Sequence, residues 1–184
     1  SAALNVLTSD QLAAVLVDDI SAMTTAQVAA LTNDQVKSLS ATQLQALTTT
    51  EVAALGTAQV KALTDTQIKS LTTDAVAAMT TAQVNALTTS QLKLLSASQV
   101  TALTSTNVAA LQTSQISALT AGQVQALSTS AVSALSTSLV NAMTTTQVAA
   151  LTTTQLSGLS DAQAKALTTS QVAALGTSQV QSLS

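Results

Sequence analysis

Residues 143–160 read MTTTQVAALTTTQLSGLS, in which Thr144–Leu151 and Thr152–Leu159 say nearly the same thing eight residues apart. Helices, coiled coils and strands repeat at about 3.6, 3.5 and 2 residues, so a period of eight belongs to none of them directly. Counting in eights from Thr8 carries the pattern to Leu183 without insertion or deletion, as 22 octads of consensus T-T-x-Q-V-x-A-L. Octad n therefore begins at residue 8n. Position five is branched aliphatic in every octad except at Ala164, and position eight is aliphatic throughout. Repeats of this kind decide the fold before any local reading does.

One continuous helix does not fit. Eight residues at about 100° each overshoot two turns by about 80°, so the Val/Leu stripe would circle the helix within five repeats. Threonine runs such as Thr144–Thr146 are also poor helix interiors. The polar positions give a better reading. Position one is Thr or Ser in 18 octads and position four is Gln in 16. Ser/Thr followed three residues later by Gln is a capping box, and apolar residues just before the cap and at N4 form the hydrophobic staple. Thr24 with Gln27, Thr32 with Gln35, and Thr144 with Gln147 are such cap pairs, and Val28, Leu31, Val36, Leu39, Val148 and Leu151 form the expected core.

Charge points the same way. All eight acids stand at positions two to four, for example Asp34, Asp65 and Glu51, and all five lysines stand at position six: Lys37, Lys61, Lys69, Lys93 and Lys165. Acids in a first turn and cations toward a last turn suit the dipole of a helix that restarts in every octad. The expected fold is all-α: a solenoid of 22 octads, each one short capped helix of about six or seven residues, roughly 10 Å long. The alternative is a β-solenoid, since Thr and Val favour strands. Against it, positions five and eight would fall on opposite faces of a sheet.

No octad can stand alone. Burying one Val and one Leu yields roughly 3–6 kcal/mol, whereas ordering eight residues costs on the order of 8–16 kcal/mol of backbone entropy. Neighbours must share a core, as in other repeat proteins. Residues 1–184 read as one array, with 1–23 as its N-terminal cap or entry segment. Octad 2 (LVDDISAM) has Leu16 and Val17 in place of the Thr pair. They read either as a buried terminal cap, the preferred reading, or as an exposed docking patch. Leu139 replaces Gln at position four, either as an exposed apolar group or, the preferred reading, as an extra core residue. Leu16, Val17 and Leu139 are thus the candidate self-association residues. Gly56 and Gly176 stand at cap positions, where Gly is acceptable.

Composition narrows function. The chain has no His, Cys, Tyr, Trp, Phe or Pro, and its net charge is −3. Thiolate, imidazole and phenol chemistry are unavailable, leaving carboxylates, Lys or an activated hydroxyl. The adjacent Asp18 and Asp19 point about 100° apart on a helix and make a poor catalytic or metal pair. Soft-metal ligands are missing, and no cofactor or small-molecule substrate is expected. The basic stripe and stacking aromatics of nucleic-acid binders are absent. The longest apolar run, LAAVLV from Leu12 to Val17, is far short of a membrane span. Beginning at Ser1 rather than Met, the chain reads as a processed or excised piece of something longer.

TTAQVAAL from Thr24 to Leu31 resembles octapeptide arrays of very large secreted or surface proteins of bacteria. That resemblance implies an extracellular, structural or adhesive setting and no catalytic residues. The same stretch is similar to the opening of transcription activator-like effector repeats, but their second helix and base-reading loop have no counterpart here, and DNA binding is rejected. The expectation is a non-enzymatic structural protein of the bacterial surface: a rod, a spacer or a filament subunit that associates with itself end to end or laterally. The alternative is recognition of a repetitive surface, ice or polysaccharide, by ladders of Thr.

Overall fold

The computed structural model describes residues 6–183. Among them are 22 helices of five or six residues, one per octad, and no strand. The β-solenoid alternative is therefore not supported. The helices are slightly shorter than the octad pattern suggests, because two or three residues of each octad are spent on the corner.

How a corner forms without Gly or Pro is visible at Leu39–Ser40. Helix Asn33–Ser38 closes with the Leu39 N–H on the Val36 carbonyl, an i→i−3 bond of 3.3 Å. Leu39 and Ser40 are both extended, at φ −61°, ψ 132° and φ −66°, ψ 162°, and helix Ala41–Gln45 follows. No residue described has a positive φ, so these bends need only the two extended residues that any amino acid can supply. The restart is chemical. The Ser40 Oγ accepts the Gln43 N–H at 3.1 Å, and Gln43 Oε1 accepts the Ser40 N–H at 2.8 Å. Side chains of Ser and Thr compete with backbone for such N–H groups, which is why they favour helix starts over interiors.

Two compact units make up the chain, residues 1–87 and 88–184. In the first, helix Ser9–Ala13 packs on Asn33–Ser38, which packs on Thr57–Ala62, which packs on Thr81–Ala86. In the second, Thr89–Leu94 packs on Thr113–Ala118, then Thr137–Ala142, then Asp161–Ala166. Within each unit a helix thus meets the one three octads on, and each unit is a helical solenoid with 24 residues to the turn. Positions five and eight fill the interior: Val28, Val36, Val148 and Leu156 are wholly buried, and Leu31, Leu39 and Leu151 nearly so. Each such side chain is worth roughly 1.5–3 kcal/mol relative to exposure. With no ring wider than an isobutyl group, the core is thin and the same in every turn.

Candidate functional site: the clasp between turns

Position four carries the most chemistry. The buried polar or charged residues among those described, from Gln35 to Gln171, all stand there. A buried carboxamide must satisfy both of its ends, and each end of this one does a different job. The oxygen accepts the cap N–H of its own helix, as Thr64 N–H to Gln67 Oε1 at 2.9 Å. The nitrogen turns away and donates to the octad four earlier. Gln67 Nε2 lies 2.7 Å from the Val36 carbonyl oxygen and 2.8 Å from that of Leu39.

This clasp repeats in both units. Gln43 donates to Val15 at 2.8 Å, Gln59 to Leu31 at 2.7 Å and Gln83 to Leu55 at 2.8 Å. In the second unit Gln123 donates to Leu95, Gln147 to Leu119, Gln155 to Leu127 and Gln171 to Met143, all within 2.6–2.8 Å. The acceptors are the corner carbonyl at position eight, as at Leu39, and the position-five carbonyl, as at Val36, which accepts the amide beside the Leu39 N–H that closes its own helix. One side chain therefore caps the start of its own helix and the end of another one turn below.

A second ladder lies further out. Side chains at position six donate to the position-seven carbonyl 25 residues on: Gln45 to Ser70 at 2.7 Å, Thr101 to Ala126 at 2.8 Å, Ser133 to Gly158 at 2.7 Å and Asn141 to Ala166 at 3.2 Å. Small residues at position seven allow this approach. At Gly158 a Cβ would meet Thr129 Cγ2 at 2.8 Å and Ser133 Oγ at 3.1 Å, so glycine there is a packing requirement.

The expected cap pairs are formed: Thr24, Thr32 and Thr144 each accept from the N–H of Gln27, Gln35 and Gln147 and donate back to the side-chain oxygen. Gly56 and Gly176 keep the half of the box they can make, each donating its N–H to the glutamine three residues on. Two of the apolar candidates behave differently from the preferred reading. Leu16 is 71% exposed and Val17 37%, so octad 2 is helical with an outward apolar pair rather than a buried cap; positions one and two face outward in every turn. Leu139 is buried. It lies in the core at the place of a glutamine and offers no exposed apolar surface for self-association.

What the side faces show to solvent is plain. Thr25, Thr49 and Thr73, one turn apart at position two, are all exposed. Asp18 and Asp19 are exposed as well, and no group of three or more His, Cys, Asp or Glu that could hold a metal ion exists among the described residues. Asp34 and Lys37 pair at 3.9 Å on the surface, a contact of little energetic weight. No helix is long and apolar enough to cross a membrane among the described residues.

Sequence reasoning found the inward half of the glutamine's work and missed the clasp. The signal was present: a capping box accepts Glu as readily as Gln, yet position four holds Gln in 16 octads and Glu only at Glu51. Only the amide has an N–H to give.

No curated protein matches the chain. The family model of the ALTTAQ repeat matches six overlapping segments, residues 17–49, 42–73, 52–89, 76–113, 121–153 and 146–177. Each is long enough to hold a glutamine together with the carbonyls it clasps four octads earlier, and together they span most of the chain. The chain belongs to the ALTTAQ repeat family.

Proposed function

We propose that this chain is a structural repeat protein of the bacterial cell surface, acting as a rod or spacer and assembling with further copies into filaments. The observation that carries the reading is the clasp. Each inner turn gives amides to the turn before it and carbonyls to the turn after it, so the architecture lengthens without limit by adding the same contacts. Charged residues are only 7% of the chain, so little repulsion opposes association between copies. The surface setting is supported by the likeness of TTAQVAAL to arrays in large secreted and surface proteins.

Electron microscopy of the purified protein over a concentration series in near-physiological buffer tests the filament. Uniform fibres that lengthen with concentration are expected. Separate particles of constant size at every concentration would refute self-assembly and leave the rod or spacer.

A further inference from the structure

The clasps are not evenly spread along the second unit. Position four holds Ala131 and Leu139 in two successive octads, both buried. Neither side chain has an N–H to give, so no amide from position four reaches the corner carbonyls of Leu103 and Leu111, four octads earlier. The consequence is a weak joint. Parting the unit between Leu127 and Ser128 breaks the clasps of Gln147 on Leu119 and of Gln155 on Leu127. Parting it between Met143 and Thr144 breaks those two and also the clasps of Gln163 on Leu135 and Gln171 on Met143. The first joint is tied by half as many of these amides as the second.

Beyond that joint, tension along the backbone reaches the ties in series. On one side the next are Gln163 on Leu135 and then Gln171 on Met143; on the other the next is Gln123 on Leu95. Packed helices stand three octads apart within the unit, so an octad that leaves disturbs only its neighbours in the adjoining turn. The chain has no Cys to bridge turns covalently. A freed octad cannot hold a helix of five or six residues by itself, and so adds about 27 Å of extended chain. Rewinding meets no slow step: there is no Pro to isomerise, and no residue described has a positive φ.

We infer that the second unit is an extensible spring with a set yield point. Tension parts it first after Leu127, then draws it out one octad at a time, and release winds the octads back. This adds to a rod or spacer the capacity to lengthen under load. It rests on contacts within one unit and holds whether or not copies assemble into filaments.

Optical tweezers on the 184-residue chain carrying S90C/S170C test the spring. Both serines are exposed and lie in the second unit, and with no native Cys the two thiols are unique handles that load that unit alone. Opening is expected in steps of one octad or small multiples of it, with closing along the same steps on relaxation. A131Q/L139Q restores the glutamine that most octads carry, and should lower the ratio of open to closed at the first opening, at fixed force, by about fivefold to thirtyfold. Q155E removes one of the two clasps that do cross the joint and should move that ratio the other way. Circular dichroism checks that helicity is unchanged in each. A single event releasing all of the chain between the handles, about 270 Å, would overturn the spring. A first opening that neither substitution moves would overturn the yield point.

Discussion

Gln147 Nε2 lies 2.6 Å from the carbonyl oxygen of Leu119, twenty-eight residues earlier, while Gln147 Oε1 lies 2.7 Å from the Thr144 N–H. The two ends of one carboxamide fasten two helix termini, and nothing in the octad's core can substitute for it. Replacing Gln147 by Glu keeps the oxygen that accepts from Thr144 and removes the donor. Q147E is expected to lose about 1–3 kcal/mol, the cost of leaving buried polar groups without partners, read as a lower midpoint in urea. An unchanged midpoint would show that the clasp contributes nothing net.

Glu51 supplies the complementary case. It is buried, and Oε2 accepts the Thr48 N–H at 2.7 Å. Four octads earlier stand the C-terminal carbonyls of Ile20 and Met23, which a glutamine at position 51 would clasp. E51Q is therefore expected to stabilise the protein by about 1 kcal/mol. Thermal melting of E51Q beside the parent measures it, and a lower melting temperature would contradict the assignment.

The caps make a prediction that separates position one from position two. Thr144 Oγ1 accepts the Gln147 N–H at 3.2 Å, whereas Thr145 is exposed on the first turn of helix Thr145–Ala149. T144A should cost about 1 kcal/mol, as loss of an N-cap does. T145A should be neutral or slightly stabilising, since Ala is the better helix former. Equal effects of the two would mean that the hydroxyls act by general solvation rather than by capping.

These residues also show how far the sequence could be read. Thr144 and Gln147 announce a helix start by type and spacing alone, because capping is local and involves residues three apart. Val148 and Leu151 announce the core for the same reason, as a staple within one octad. The number of octads in a turn is another matter. It follows from how three short helices close around a thin core, and one octad is too like the next to mark it. A faint trace exists at position six, where Ala29, Ala53 and Ala77, and likewise Lys37 and Lys61, recur every 24 residues. The outward side of Leu16 was hidden: like the buried Leu139 it is a leucine at a polar position, and only the direction of position four, inward, against position one, outward, tells them apart.

Because the clasp relates octads by count, the array should be sensitive to phase and indifferent to length. Removing one whole octad, residues 120–127, leaves every later glutamine facing carbonyls four octads back, merely supplied by different octads. Removing half of one, residues 120–123, deletes Thr120 and Gln123, which together form a capping box. It also deletes the donor to Leu92 and Leu95 and joins Leu119 directly to Val124, so that no polar corner separates two core positions. The eight-residue deletion is expected to melt cooperatively within a few degrees of the parent, as loss of one repeat from a near-additive array does. The four-residue deletion should lose considerably more, with a broadened transition as the second unit melts in pieces. Circular dichroism melts of the two deletions decide it. If the shorter deletion proved the milder, the octad would not be the unit of packing, and the clasp would not be what sets its phase.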